Sequence, residues 1–274
     1  MAFMTVDQKK CGGDGICAKA CPMGLLYFAE GERLPRAVDN AAELCISCGH
    51  CVSVCPRGAL SLEHLPFEQF AELPPGWNLS EKQVAFLLKG RRSIRRYTDQ
   101  PVGREALEKL VDVARYAPSG VNRQPLRWKI IDGKDKVGAL AGLVVEWMRG
   151  LVAQGAPIAQ SLNLANLIRA HEKGQDFICR GAPHLVITYA LKDDMMAPGA
   201  SDIALTYVDI AAASMGLGAC WAGYCHMALN ACAPCREFVR MNERCACFGA
   251  MLVGHPLYSY KRIPPRNKAK ISYI

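Results

Sequence analysis

Four cysteines between residues 45 and 56 follow one fixed spacing, which limits what the first part of the chain can fold into. The stretch reads CISCGHCVSVCP, or C-x2-C-x2-C-x3-C-P. Thiolates at these intervals wrap one iron–sulfur cube, and the fourth cysteine ligates a second cube when two are present. A related stretch, CGGDGICAKACP, begins 34 residues earlier at Cys11, with Asp14 in place of the second cysteine. The doubled spacing predicts two iron–sulfur clusters.

Because the fourth cysteines cross over, the two runs predict two mixed ligand sets. The first candidate set is Cys11, Asp14, Cys17 and Cys55. The second candidate set is Cys45, Cys48, Cys51 and Cys21. We expect each fourth cysteine to start a helix, because Pro22 and Pro56 then fall where a missing N–H is tolerated. A structural zinc site is the alternative for the second run, since four cysteines also bind zinc.

Asp14 allows three interpretations. Carboxylate is a harder ligand than thiolate and suits a soft cluster less well. The residue either ligates a [4Fe–4S] cluster, or leaves a three-iron [3Fe–4S] cluster, or serves only as a turn residue between Gly13 and Gly15. In each case the iron at this corner lacks a thiolate, so we expect that iron to be labile.

The composition places these motifs in a reducing compartment. The chain has 274 residues and 14 cysteines, of which seven belong to the two runs. Thiols committed to clusters argue against a secreted, disulfide-bonded protein, so a cytoplasmic location is predicted. No signal peptide is visible, because the basic pair of MAFMTVDQKK follows the apolar residues.

Neither a membrane nor a nucleic acid is predicted as a partner. Residues 210–235 carry no Asp, Glu, Lys or Arg, but glycines, a proline and polar residues break this stretch into a helix, a turn and a strand. Residues 1–65 carry a net charge of −1, so a net charge of +9 lies after residue 65, scattered or clustered beside glycine and serine. A nucleic-acid site would favour a basic stripe with aromatic residues. A phosphorylated cofactor explains the clusters better.

The sequence divides into a two-cluster domain at 1–65, a proline-rich linker at 66–79 and a larger domain at 80–274. Ser80 and Gln83 predict a capping box that opens a helix. Further helices are predicted at 104–117, across 135–173 with a break near 155–157, and at 202–215. Strands are predicted at 127–132, 184–190, 219–223 and 245–253. This pattern favours a layered α+β domain over repeated βαβ units.

Four separated motifs occur in the larger domain in a fixed order. They are RRSIRRY at 91–97, PSGVNRQP at 118–125, DIALTYVDIAAASMGLGACWAG at 202–223, and GHP followed by IPPR at 263–266. Together they resemble the FMN-dependent nitroreductase family, over roughly residues 85–266. With the cluster runs, the chain resembles the branch of that family that carries a ferredoxin domain. The resemblance implies a three-layer α/β/α domain with a mixed sheet, preceded by a small two-[4Fe–4S] ferredoxin-like domain.

The resemblance also implies an FMN site built from these motifs. Planar guanidinium groups bind phosphate oxygens in pairs. The phosphate, the ribityl chain and the N1/O2 edge of the ring would be held by Arg91, Arg92, Ser93 and Arg95. The loop beside the ring would contribute Pro118, Ser119, Asn122 and Gln124. The turn whose Ala222 and Gly223 amides would face flavin N5 consists of Trp221, Ala222 and Gly223. A further phosphate contact matches Arg266, with Lys268 as its competitor.

No catalytic side chain is predicted, because in this family the flavin performs the redox chemistry. Outside the runs, Cys220 and Cys225 bracket the predicted N5 turn and are candidates to tune the flavin. Cys232 and Cys235 form a C-x2-C pair that suits a zinc half-site, a redox dithiol or simply buried small apolar residues.

We therefore predict a homodimeric FMN oxidoreductase that receives electrons through its clusters and reduces a small planar electrophile such as a nitroarene, quinone or enone. A ferredoxin or NAD(P)H would be the electron donor. One alternative is an NAD(P)H-driven nitroreductase with non-essential clusters. Another is an electron-transfer or redox-sensing protein without small-molecule turnover.

Overall fold

The computed structural model describes residues 3–274, which divide into two compact units. The first unit holds the chain up to Asn78 together with Val121–Arg123. The second unit holds Leu79–Gly120 and Gln124–Ile274. The domain boundaries at residues 65 and 79 stay predictions. Among the described residues, no helix combines the length and the apolar character needed to cross a membrane.

The first unit consists of short elements around a small apolar core. In chain order these elements are β1 (Met4–Val6), α1 (Ile16–Ala20), β2 (Leu26–Tyr27), β3 (Arg36–Ala37), α2 (Ala41–Leu44), α3 (His50–Ser53), β4 (Leu60–Leu62) and a 3-10 turn at Phe67–Gln69. Two antiparallel ribbons form, β1 with β4 and β2 with β3. Their core contains Leu26, Val52, Leu60 and Leu62 beside Cys17 and Cys51.

The internal repeat appears as two matching helix starts. Gly15 (φ 73°) precedes α1 and Gly49 (φ 71°) precedes α3, both in the left-handed region that glycine adopts readily. The predicted helices at the fourth cysteines are wrong, because α1 and α3 lie before these residues. Cys21 ends α1 in an extended conformation. A proline disfavours the α conformation in the residue before it, so Pro22 and Pro56 follow the helices instead of opening new ones.

The second unit contains the remaining helices and one sheet. In chain order its elements are α4 (Glu81–Gly90), α5 (Arg104–Ala114), β5 (Arg127–Asp132), α6 (Lys134–Ala153), α7 (Pro157–Ser161), α8 (Leu164–Glu172), β6 (His184–Leu191), α9 (Ala197–Ser214), β7 (Gly218–Trp221), α10 (Gly223–Ala231), α11 (Ala233–Phe238) and β8 (Cys245–Gly254). The predicted capping box between Ser80 and Gln83 is confirmed at the start of α4.

The sheet has the order β5-β6-β8-β7, and all three pairings are antiparallel. Parallel pairing occurs, within the described residues, as one isolated bridge between Ser93 and Ala219. β6 is buried on both faces, which explains its apolar run HLVITYAL. Leu185 and Ile187 pack into the core that includes α6, α8 and α10, and Val186 packs into the core that includes α5 and α9. The predicted three-layer α/β/α arrangement is confirmed.

Two helices after β7 were missing from the sequence-based assignment. We predicted a strand through Gly223, but α10 begins at that residue. Glycine, histidine and asparagine are weak helix formers, which hid the helix. The periodic burial of Cys225, Ala228 and Leu229 outweighs these propensities, because the three residues share one face against the core.

Gly249 allows α9 to lie close to the sheet. A Cβ atom at this position would lie 2.4 Å from Leu205 Cδ1 and 2.9 Å from Ser201 Oγ. Ser201 Oγ also forms a 2.7 Å hydrogen bond with Thr188 Oγ1 on β6. A side chain at residue 249 would therefore separate two layers of the fold.

Candidate functional site

The first unit gathers the predicted ligands around two cavities. One cavity is lined by all members of the first candidate set: Cys11, Asp14, Cys17 and Cys55. The other is lined by all members of the second candidate set: Cys21, Cys45, Cys48 and Cys51. Each cavity thus draws on both cysteine runs. Within residues 3–274, no three His, Cys, Asp or Glu side chains converge closely enough to hold a single metal ion.

Cys21 and Cys55, the fourth cysteines of the two runs, accept matching hydrogen bonds. The Leu25 N–H donates to Cys21 Sγ at 3.3 Å, and the Ala59 N–H donates to Cys55 Sγ at 3.3 Å. Both donors lie four residues after their cysteine and 34 residues apart. An amide donor favours the thiolate form that a cluster requires.

The thiols of the second candidate set oppose one another's ionisation. Burial, followed by the nearby Cys21, Cys45 and Cys48 thiols, raises the pKa of Cys51 to about 11. Burial is also the main cause of a raised pKa at Cys17 in the first set. Thiolates so close together are stable only when a multivalent cation offsets their charge. The residues present therefore fit an iron–sulfur cluster.

Asp14 lines the first cavity and also forms a turn. Its Oδ1 accepts a hydrogen bond from the Ile16 N–H at 3.2 Å. This contact is the expected bond of a turn aspartate. It uses one carboxylate oxygen and leaves the choice among the three interpretations open.

The surroundings of the two cavities differ in polarity. Arg57 lines the first cavity, and Arg33 Nη2 donates to the Cys11 carbonyl oxygen. Both cavities also have apolar lining residues, which include Phe28 and Leu60 in the first cavity and Phe3, Leu26 and Leu62 in the second.

In the second unit, a cavity of about 330 Å³ brings together three of the predicted flavin residues, Arg95, Trp221 and Gly223. Its other lining residues are Leu162, Phe177, Ile178, Arg180, Cys220, Tyr224 and Met227. Arg95 and Arg180 give this cavity two cationic side chains. Burial raises the pKa of the Cys220 thiol, and the two arginines partly offset that effect.

The turn before α10 presents one suitable amide instead of two. The Ala222 N–H donates to the Ala250 carbonyl oxygen at 2.8 Å, and the residue is buried. This bond commits the Ala222 amide to β8, which corrects the predicted pair of N5 donors. Gly223 is the first residue of α10, where helix geometry leaves amides without an intrahelical acceptor. Gly223 lines the cavity, and its role as a donor to flavin N5 stays a prediction.

The RRSIRRY motif is anchored from several directions. Arg91 Nη1 donates to Asp209 Oδ2 on α9 at 2.8 Å. Burial raises the pKa of Asp209, and Arg91 partly offsets the shift. Arg92 lies over the ring of Tyr260, 5.9 Å from its centroid. Ser93 pairs with β7 through its backbone.

The loop at 118–125 is divided between the two units. In the second unit, Ser119 and Gln124 line a cavity of about 120 Å³, and the Gln124 N–H donates to Ser119 Oγ at 2.9 Å. This cavity is distinct from the one that contains Arg95. In the first unit, Asn122 Nδ2 donates to carbonyl oxygens in the Cys45–Cys48 loop. Pro118 is exposed.

The basic tail lies apart from these groups. Arg266 and its competitor Lys268 are both exposed, in a stretch without helix or strand. Their assignment to a phosphate contact stays a prediction.

Arg180 was not predicted as a site residue. Asp176 shapes the turn that carries it: Oδ1 accepts from the Ile178 and Cys179 amides, and Oδ2 accepts from the Gly181 amide. Arg180 itself has a left-handed φ of 59°. Asp176 and Gly181 are residue types that favour turns, so the turn itself could be predicted from the sequence. Nothing in the neighbouring sequence indicates that this turn lies beside α10.

Two family models match the chain. The nitroreductase family model matches residues 88–255, and a 4Fe–4S dicluster domain matches residues 9–59. The first match covers more than half of the chain, so the chain belongs to the nitroreductase family, whose members are flavin-dependent oxidoreductases. The family resemblance predicted from the sequence, including the ferredoxin-like domain at the amino end, is thereby confirmed.

Curated relatives match parts of the chain. The FMN reductase [NAD(P)H] of Bacillus subtilis (strain 168) is 31% identical over 143 residues, 50% of this chain and 52% of that protein. Iodotyrosine deiodinase of Nematostella vectensis is 30% identical over 86 residues, 31% of this chain and 33% of that protein. The chain thus spans about half or less of the length of these relatives.

A solved structure shows the same fold. A nitroreductase with bound FMN from Desulfitobacterium hafniense DCB-2 has a TM-score of 0.57 and 22% identity. The alignment covers 72% of this chain and 100% of that chain. The predicted fold class, a nitroreductase-like α+β domain after a ferredoxin-like domain, is confirmed.

Proposed function

We propose that this chain is an FMN-dependent oxidoreductase that receives electrons through two iron–sulfur clusters and reduces a small planar electrophile, such as a nitroarene, quinone or enone. The observation that carries the proposal is the joint presence of a nitroreductase region and a dicluster region in one chain. When bound, the clusters would exchange single electrons, and FMN would collect two of them for transfer to the substrate.

The cavity at the start of α10 suits an anionic flavin. Arg95 and Arg180 supply positive charge at its wall, and planar guanidinium groups bind phosphate or an electron-rich ring edge through paired N–H bonds. The Gly223 amide lies at the positive end of a nine-residue helix. We propose that Gly223 is the N–H donor to flavin N5, and that Arg92, Ser93 and Trp221 also contact the cofactor.

Arg91 would act from a fixed position. Its ion pair with the buried Asp209 holds one edge of the guanidinium group. The pair balances charge that would otherwise be isolated inside the fold. We propose that the remaining N–H groups of Arg91 orient the phosphate or ribityl part of FMN.

We propose that the active form is a homodimer, as the family resemblance implies. Ser119 and Gln124 line a cavity other than the one with Arg95, which supports an arrangement in which these loop residues serve the flavin of a second copy. The oligomeric state in solution, measured by light scattering coupled to gel filtration, tests this part of the proposal.

One observation favours a second electron donor. The matched Bacillus subtilis relative carries NAD(P)H in its name, so direct hydride transfer from NAD(P)H to FMN is the competing function. In that case the clusters would not be needed for turnover. Rapid NAD(P)H-dependent bleaching of the flavin would support the competing function over the cluster route.

The test begins with anaerobic purification and measurement of FMN, iron and sulfide per chain. We expect equimolar flavin and two clusters, and we expect a reduced bacterial ferredoxin to bleach the flavin spectrum. A screen of nitroarenes, quinones and enones then defines the acceptor. A protein that binds no FMN after reconstitution, or whose flavin stays oxidised beside reduced ferredoxin, would overturn the proposal.

A further inference from the structure

We propose that Asn122 is a positioning residue for the cluster of the second candidate set. Its side chain fixes the loop between Cys45 and Cys48, and this contact raises the reduction potential of the cluster held there. The inference rests on the proposed function, because it assumes that this cluster is present.

The contact joins distant parts of the chain within the first unit. Val121–Arg123 belongs to this unit although its sequence neighbours belong to the second. Asn122 Nδ2 donates to the Ile46 carbonyl oxygen at 3.0 Å and to the Ser47 carbonyl oxygen at 2.9 Å. A side-chain amide carries two N–H groups and can satisfy both acceptors. Ile46 and Ser47 are the two residues between ligand candidates Cys45 and Cys48.

The hydrogen bonds from Asn122 hold the Ile46 and Ser47 carbonyl groups on the side of the loop that faces Asn122. They therefore also determine the direction of the two amide N–H groups that follow these carbonyl groups. In a trans peptide the N–H is directed opposite to the C=O. The N–H groups of Ser47 and Cys48 are therefore directed away from Asn122. Cys48 and Ile46 line the second cavity. Hydrogen bonds to cluster sulfur stabilise the more negative, reduced cluster and so raise its potential.

The backbone on both sides of the contact is in an unfavourable region. Val121 has a φ of 46°, Asn122 a φ of 53° and Ser47 a φ of 53°. A left-handed conformation is costly for a β-branched residue such as Val121. Such conformations persist where surrounding contacts over-determine them. The two Asn122 hydrogen bonds are contacts of this kind, which indicates a specific role and not a chance approach.

Two variants distinguish the effect of losing the Asn122 hydrogen bonds from the effect of losing the volume of its side chain. Asn122→Asp keeps the size of the side chain but loses both N–H donors and adds a negative charge. Asn122→Ala removes the side chain. Asn40→Ala is the matched control, because Asn40 also lies in the first unit with a left-handed φ of 59° and has no side-chain capping bond.

The experiment uses the full chain, purified anaerobically with both clusters and FMN. Iron and sulfide are quantified, and each cluster is titrated by potential and followed by EPR. We expect both Asn122 variants to retain the second cluster at a more negative potential. The one-electron equilibrium should change by about tenfold in Asn122→Asp, or about 59 mV, with a smaller shift in Asn122→Ala. The first cluster and Asn40→Ala should match the wild type.

A wild-type protein without the second cluster would refute the proposed function. An intact second cluster whose potential and EPR signal are unchanged in both Asn122 variants would overturn the positioning role alone. A shift of the second cluster's reduction potential in Asn40→Ala that equals the shift in the Asn122 variants would also overturn the positioning role alone. If Asn122→Ala loses iron from both candidate sets, the potential of the second cluster in Asn122→Asp, whose side chain has the same size as asparagine, decides whether the positioning role holds.

Discussion

The two units assemble their candidate sites in different ways. In the first unit, the candidate ligands come from two short runs 34 residues apart, and the same local geometry occurs at Gly15 and Gly49. In the second unit, the cavity beside Arg95 draws on the turn at Arg180 and on the start of α10 at Gly223. The first site depends on local spacing, whereas the second depends on how the layers of the fold pack. A change in packing should therefore damage the second site and leave the first intact.

The largest effect should follow from removing one thiolate of the repeat. We expect Cys48→Ser to lose the second cluster, about half of the iron of the chain, because serine replaces a soft thiolate with a hard hydroxyl. Flavin content should not change, since the second unit builds its own cavity. Iron and FMN per chain measure both quantities. Cys232→Ser, at a buried cysteine outside the runs, should retain all iron. Full iron in Cys48→Ser would contradict the ligand assignment.

The next effect tests the dependence of the second site on packing. Gly249→Ala places a Cβ atom 2.4 Å from Leu205 Cδ1, so we expect the free energy of unfolding to fall by about 1–3 kcal/mol. FMN should bind more weakly, and iron content should stay constant. Chemical denaturation and flavin titration provide the measurements.

A second glycine supplies the control for this experiment. Gly142 lies within α6, and a Cβ atom there meets nothing within 4 Å. Gly142→Ala should therefore leave stability unchanged or raise it by up to about 1 kcal/mol, because alanine is the better helix former. If Gly249→Ala binds FMN as the wild type does, the second site does not depend on the packing of α9.

Arg180→Ala tests the proposed contact between Arg180 and FMN in the cavity beside Arg95. A hydrogen bond to a charged group contributes about 1.5–3 kcal/mol, so we expect the Kd for FMN to rise by about tenfold or more. Arg127→Ala, an exposed arginine on β5, is the control for loss of positive charge. Isothermal titration of the apoprotein with FMN distinguishes them. If both variants bind FMN equally weakly, Arg180 contributes only through the overall positive charge of the chain and not through a direct contact.

The smallest effect lies within the repeat itself. Asp14→Cys completes the first run, and we expect it to protect about one iron atom per chain against mild chelation. EPR should lose any three-iron signal in the variant. Identical iron loss and identical spectra in Asp14→Cys and in the wild type would remove Asp14 from the ligand set.

Local chemistry explains which features the sequence could predict. The strand at 127–132 has the predicted bounds, and the Ser80 capping box forms as expected. Both depend on neighbours within a few residues. The grouping of the candidate ligands around the two cavities agrees with the spacing of the two runs, because the first three positions of each run line one cavity and its fourth cysteine lines the other. Their binding of iron stays a prediction.

Features that depend on tertiary packing were not predictable in this way. Arg180 reaches the cavity only because Asp176 shapes its turn and the fold brings that turn beside α10. The Ala222 amide looked available in the sequence, yet it pairs with β8. The Asn122 side chain bonds to the Cys45–Cys48 loop, and its contact with the flavin stays a prediction. No local pattern encodes these partners.

The central claim is that electrons reach the flavin through the clusters. Anaerobic stopped-flow mixing of reduced ferredoxin with the wild type and with Cys48→Ser, each loaded with FMN, tests it most directly. We predict fast bleaching of the flavin in the wild type and at least about tenfold slower bleaching in the variant. Equal flavin reduction in both proteins would contradict the account, because it would show that the flavin takes electrons without the second cluster.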